Sequence, residues 1–227
     1  MKKRHVVLSI LVACVLVQGC TRKFAVTSQM SDLDFTVSEP VASINYTPIV
    51  DSRPEIEKKG RVENGCSGGK SGVTHLGDKN YKNDLLPEFN DHLLIALQNS
   101  HLFTNINVVE ETSTPADADY SFMASLESFH VMLDEAQAQN TQACIGGIIG
   151  AMIASKVDVT ANIDVKLTGI LKSDNVEVWR YTVIKHSSEI ADYGKTKTNA
   201  ELLMGNAIGD VSRDIISEMA KFLSTVE

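Results

Sequence analysis

From Val157 to Leu167 the chain reads Val-Asp-Val-Thr-Ala-Asn-Ile-Asp-Val-Lys-Leu, apolar and polar side chains alternating without exception. Period two is the side-chain period of a β-strand, so every apolar residue here falls on one face and every polar residue on the other. Wound as a helix, the same residues would scatter both kinds around the axis. Lys172-Ser173-Asp174-Asn175 then supplies turn chemistry, and Glu177 to His186 returns as a β-branched and aromatic strand. The pair predicts a hairpin with one wet face and one face that must be covered. With 227 residues, 43% of them apolar, the chain has enough material for one core that covers it.

The remaining elements are read by the same test of period. Val41 to Val50 predicts a first strand, closed by Asp51-Ser52-Arg53-Pro54. Residues 55–80 contain Gly60, Gly65, Gly68, Gly69, Gly72 and Gly77 and read as a long loop. Its piece Gly68-Gly69-Lys70-Ser71 is not a phosphate loop, because Asn64 stands where that pattern requires glycine and Lys70 opens no apolar helix. Asp84 can cap a helix with Pro87 in its first turn, and Leu86, Phe89, Leu93 and Leu97 give that helix one apolar face up to about His101. A short strand, Asn105 to Val109, follows. From Asp119 to Leu133 the alternation runs through Tyr120, Phe122, Ala124 and Leu126, then slips to Phe129, Val131 and Leu133, which predicts a β-bulge near Glu127–Ser128. Thr198 and Glu201 form a capping-box pattern ahead of a helix to about Leu223, with Leu203, Ala207, Val211, Ile215, Met219 and Phe222 inward and Gly205 and Gly209 four apart. The order is β-α-β-β-β-β-α. It predicts an α+β fold in which a mostly antiparallel sheet of about five strands carries two helices on one face.

The N-terminus reads as an address. Lys2, Lys3 and Arg4 precede an apolar run from Val6 to Val17, and Gly19 stands directly before Cys20. This resembles the lipobox of bacterial lipoproteins, whose cysteine becomes the lipidated first residue after cleavage; a plain secretory signal is the alternative. The resemblance implies a signal peptide over 1–19 and lipid on Cys20; the weakly patterned residues up to Pro40 then read as a lipidated tether over 20–40, and 41–227 as a single α+β domain. Thr21 occupies the place where aspartate commonly retains such proteins at the inner membrane, which implies the periplasmic face of the outer membrane. After cleavage, 18 basic and 29 acidic side chains remain. So acidic a chain excludes a nucleic-acid surface, and the anchor, not charge, is expected to hold it at the membrane. Cys66 and Cys144 are then the remaining thiols, either one disulfide in an oxidising compartment or two thiols that never meet.

No constellation points to catalysis, a metal or a cofactor. His75, His92, His101, His130 and His186 include no helical i, i+4 pair, and there is neither a nucleophile elbow nor a CxxC. Asp51 and Arg53 at the end of the first strand are either a site or solvated and capping charges. Asp117, Asp119, Asp134 and Glu135 read as loop charge. The longest uncharged apolar run past the signal, Ala143 to Ala154, is too short to span a membrane as a helix. It is either a connector between strands or a contact with membrane or partner, centred on Gly146, Ile148, Ile149 and Gly150.

An apolar strand ending in Asp51-Ser52-Arg53, an amphipathic helix ending Leu97…Phe103, a strand Ala118-Asp119-Tyr120-Ser121-Phe122, a hairpin around Trp179 and a final helix together resemble the YajG-type family of small bacterial lipoproteins. More distantly they are similar to ABC-transport auxiliary lipoproteins, the N-terminal domain of TolB and the curli secretion lipoprotein. The resemblance implies a noncatalytic periplasmic binding or assembly subunit serving an envelope protein or a lipid-transport partner. The alternative it leaves is an oligomer-forming secretion or channel-type lipoprotein that uses the apolar segment at 143–155.

Overall fold

The computed structural model describes residues 22–27, 40, 42–63, 72–109, 117–138 and 152–226. Its spine is the antiparallel meander β6 (Tyr120–Asp134), β7 (Asp158–Ser173) and β8 (Val176–Asp192). Along β7 the alternation is obeyed, with Val159, Ala161, Ile163, Val165, Leu167 and Leu171 buried. At the hairpin apex Asp174 and Asn175 both take positive φ, 51° and 63°. That is the two-residue turn whose twist matches the flanking strands, and short polar side chains tolerate it best. The bulge falls where the pattern slips: Leu126 faces Leu167 and Ser128 faces Lys166, so Glu127 is the extra residue. It lets Phe122 and Leu126 on one side, and Phe129, Val131 and Leu133 on the other, all point into one core.

The second edge of β6 is shared by several short strands. β1 (Ala42–Tyr46) and β2 (Val50–Asp51) run parallel to it, and β4 (Val73–Leu76) runs antiparallel. β5 (Phe103–Val108) adds parallel to β1, and β3 (Arg61–Glu63) antiparallel to β4. The sheet is therefore mixed and has eight strands, or seven if the two-residue β2 is set aside. This corrects the expected mostly antiparallel sheet of about five. β1 and β5 are separated by the helix α2 (Leu85–Asn99), and a connection of that length returns the chain in the same direction. The span that reads as loop holds helix α1 (Glu55–Lys59), β3 and β4, each too short to show a period.

α2 and the 31-residue α3 (Thr196–Val226) touch each other and cover one sheet face, as expected. The Phe89 ring meets Phe129 edge-on at 6.5 Å, and Ile215 packs over Gly169 on β7. Two caps depart from expectation. Asp84 sits at the N-cap of α2 but makes no side-chain cap bond. Thr198 lies inside α3, which starts at Thr196, and the Glu201 carboxylate is taken by a backbone N–H from another part of the chain.

That other part is the N-terminal segment. Phe24 is 1% exposed, Val26 is fully buried, and both belong to the main core. Residues 22–27 of the expected tether are thus built into the domain.

Candidate functional site

The first described residues dock because their backbone is satisfied by the domain. The Phe24 N–H donates to the Asn80 carbonyl at 2.8 Å, and the Lys82 N–H donates to the Phe24 carbonyl at 2.8 Å. The Val26 N–H donates to Asn83 Oδ1 at 3.1 Å while the Asn83 amide returns a 2.7 Å bond to the Val26 carbonyl, and the Ala25 N–H donates to Glu201 at 2.7 Å. Phe24 and Val26 point into the core, so Arg22 and Lys23 are delivered to a fixed place on the surface. The Lys23 ammonium donates to the Lys79 carbonyl.

Beside this segment lies a cleft of about 410 Å³. Phe24, Leu76 and Leu133, each 1% exposed, contribute its apolar part. Arg22, Arg61 from β3 and Lys79 supply three cations against the single carboxylate of Glu135. Glu135 is buried and binds the Arg22 guanidinium at 2.8 Å, and that guanidinium lies over the rings of Phe24 and Tyr193 at 5.6 and 5.7 Å. Arg22 is thereby held in position at the mouth of the cleft.

His75, which also borders the cleft, belongs to a row of side chains on the polar sheet face. His75 Nδ1 and His130 Nε2 are 2.8 Å apart with their rings stacked at 5.1 Å, so one nitrogen donates to the other. Asp164 Oδ2 stands 3.8 Å from His130, and Asp164 Oδ1 accepts from His186 at 2.6 Å. The four residues sit on β4, β6, β7 and β8, one strand spacing of ~4.8 Å after another, and make a line instead of converging on a point. Among the described residues no three His, Cys, Asp or Glu side chains are grouped to hold a metal ion. His92, by contrast, is buried in the face of α2 that meets the core, where desolvation pushes its pKa down.

Asp51 and Arg53 are brought together, as an internal clasp. Arg53 is 5% exposed; its Nε and Nη2 each reach Asp51 at 2.9 Å, and Nη2 also reaches Asp78 at 3.1 Å. Desolvation pulls the Asp51 carboxyl upward, but hydrogen bonds and charge from Arg53, helped by Lys58, outweigh it and leave its pKa below the usual carboxylate value. Cys20, Cys66, Cys144, Gly146, Ile148, Ile149 and Gly150 lie outside the described residues. At the end of the apolar run, Met152 and Ile153 are exposed while Ala154 packs with Ala138 and Val159. Among the described residues no helix is long and apolar enough to cross a membrane.

Sequence reasoning missed the cleft because its residues come from positions 22, 61, 79 and 135. One signal was present: Phe24 and Val26 are apolar at period two, which a solvated tether has no need of. The His row has no helical spacing: His130 and Asp164 stand at polar positions of two alternating strands and meet only through the pairing of β6 with β7.

No protein-family model matches the chain, and no curated protein matches it in sequence. Solved structures do match in shape. A Xanthomonas campestris protein of family DUF330 aligns with TM-score 0.51 and 10% identity over 90% of this chain and 98% of its own. A proposed lipoprotein of Caulobacter crescentus aligns with TM-score 0.34 and 14% identity over 60% and 83%, and a PelC dodecamer of Paraburkholderia phytofirmans with 0.36 and 11% over 83% and 93%. Over the span of that first alignment the chain shares the fold of the DUF330 structure.

Proposed function

We propose that the chain is a noncatalytic envelope lipoprotein, held by acyl groups on Cys20 at the periplasmic face of the outer membrane as a binding or assembly subunit for an envelope protein or a lipid-transport partner. The observation that supports it best is the docking of residues 22–27, which builds a cleft immediately beyond the cysteine that resembles a lipidation site. In this reading the cleft binds and the His–Asp row is a polar surface; neither carries out a reaction. Replacing Cys20 with Ala tests the anchor. In cells fed an alkyne-bearing palmitate analogue, the unaltered chain is expected to be labelled and to stay in the carbonate-washed membrane fraction, and Cys20→Ala to be unlabelled and soluble. A variant that remains in the washed membranes overturns the reading.

A second reading, an oligomer-forming channel or secretion lipoprotein, has one observation in its favour. Among the described strands β8 pairs with β7 alone, so its 17-residue outer edge is open, and Val176, Ile184 and Ile190 are exposed on it. Long open edges invite pairing with a second chain. Sizing of the full-length protein in detergent separates the two readings, a ring supporting the second and a monomer or dimer the first.

A further inference from the structure

We propose that two copies of the chain join through the open edge of β8, as an antiparallel pair whose two-fold axis passes through Ser187. The inference goes beyond the lipoprotein reading, because it concerns the folded domain and needs no anchor.

The edge is long and regular. β8 has 17 residues against the usual ~5–6 of a strand, and among the described strands it pairs with β7 alone. Sheet edges are commonly blunted by proline, by bulges or by shortness. β8 contains no proline, and its register shift against β7 lies at the hairpin end, so from Trp179 to Asp192 the ladder runs without interruption. On the polar sheet face, opposite Lys166 and Thr160 of β7, Ile184 and Ile190 stand 71% and 65% exposed.

The order of side chains along this edge fits a second copy of itself. An antiparallel pair about Ser187 sets Ile184 opposite the second copy's Ile190, and Ile190 opposite its Ile184. Each isoleucine then has an apolar neighbour at ~5 Å in place of water. The same register sets Lys185 opposite the second copy's Glu189, twice by symmetry. Charges that an edge strand turns inward oppose a partner bringing the same sign, and here each meets its opposite. Neither has to leave its own helix to do so: Lys185 keeps Asp214 of α3 at 3.3 Å, and Glu189 keeps the Asn199 amide at 3.2 Å. Moving the axis by one residue in either direction sets Ile184 against Ser188 or Asp192 and parts Lys185 from Glu189. The shared ladder covers residues 182–192 of both copies. Because each copy offers the same edge to the other, the pair closes at two and does not propagate into a ring.

The test uses the chain from residue 20 onward with Cys20→Ala, which contains every described residue and has no acylation site. Sedimentation equilibrium over a dilution series is expected to show a monomer–dimer equilibrium. In Ile184→Lys/Ile190→Lys the dissociation constant should rise by about tenfold or more, since both apolar contacts become like-charge contacts. Ile184→Glu/Ile190→Lys places opposite charges at the same two contacts and should dimerise more tightly than the double-lysine variant. Ile184→Thr suits a wet strand face and should show a smaller loss in the same direction. Ile95→Lys, on exposed surface of α2, should dimerise like the unaltered chain. Thermal melts of each variant check that the fold is kept, as expected for side chains this exposed. A chain that stays monomeric throughout, a ring of more than two copies, or a dimer indifferent to the double-lysine change overturns the proposal. So does equal weakening in the Lys/Lys and Glu/Lys variants, which would mean that Ile184 and Ile190 do not face each other. Because the tested chain cannot be acylated, these outcomes leave the Cys20 labelling result to stand or fall by itself.

Discussion

Arg53 shows how a single charged residue is kept inside. Its side chain is 2% exposed, and removing a buried guanidinium from water is tolerated only because Asp51 grips it through two parallel hydrogen bonds and Asp78 adds a third. Asp51→Asn keeps the shape and removes the charge, and should cost about 2 kcal/mol at pH 7, below the full loss of a buried pair because Asp78 remains. The pH dependence has a definite sign. The folded-state pKa of Asp51 is lowered, so its contribution is complete above the unfolded carboxylate value, about pH 4, and disappears as pH falls through the folded value. Urea melts at pH 7, 4 and 3 should therefore show the gap between the two proteins closing in acid; a constant gap would show that the charge contributes nothing. Glycine matters at two neighbouring positions. Gly60 has φ +61°, and the backbones of Gly60 and Gly77 approach so closely that a Cβ on either would overlap the other. The aspartate-arginine pair could be seen in sequence as two charges at a strand end, but its burial could not, because Asp78 and the covering Tyr81 arrive from 25 or more residues away.

Among the elements, β6 is the most tightly specified. A strand of 15 residues with a core face must alternate, and the one-residue slip at Glu127 is tolerated only because the extra residue bulges outward. Its carboxylate there accepts from Thr168 at 2.5 Å and pairs with Lys166 at 2.7 Å, both on β7. Deleting Glu127 should be far worse than altering it. Deletion turns either Phe122 to Leu126 or Phe129 to Leu133 toward solvent, and cooperative thermal unfolding should vanish. Glu127→Ala keeps the register and should cost less than about 1 kcal/mol, the range of a solvent-exposed pair. A deletion variant that still melts cooperatively would show that the bulge can migrate. The bulge was legible because a shift of period is a local property. β3 and β4 were not, since three or four residues carry no period, and their pairing is chosen by the open half of β6's edge.

At the scale of the whole molecule, the N-terminal segment closes the core. Phe24 is nearly inaccessible and sits with Tyr81 and Val26 in the cluster that contains both long helices. Phe24→Ala should cost about 3–4 kcal/mol through lost burial and an incompletely filled cavity. In a domain of this size that is a fall of roughly 10 °C in melting temperature, measurable by calorimetry. A tether that stays in solvent would give no change, so an unchanged melting temperature would contradict the docked arrangement. Alternation over Val157–Leu167, the Asp174-Asn175 turn, the slip at Glu127 and the apolar faces of α2 and α3 are all properties of neighbours within a few turns of chain. The sequence determined them by itself, and with them the α+β class and the meander. The parallel pairing of β1 and β2 with β6, the docking of residues 22–27, the cleft beside them and the His75–His130–Asp164–His186 row each join residues tens of positions apart. Only tertiary structure decided these, because a partner chosen across the fold is selected by the core volume and sheet edge left open once the local elements have packed, and no local pattern encodes which edge that is.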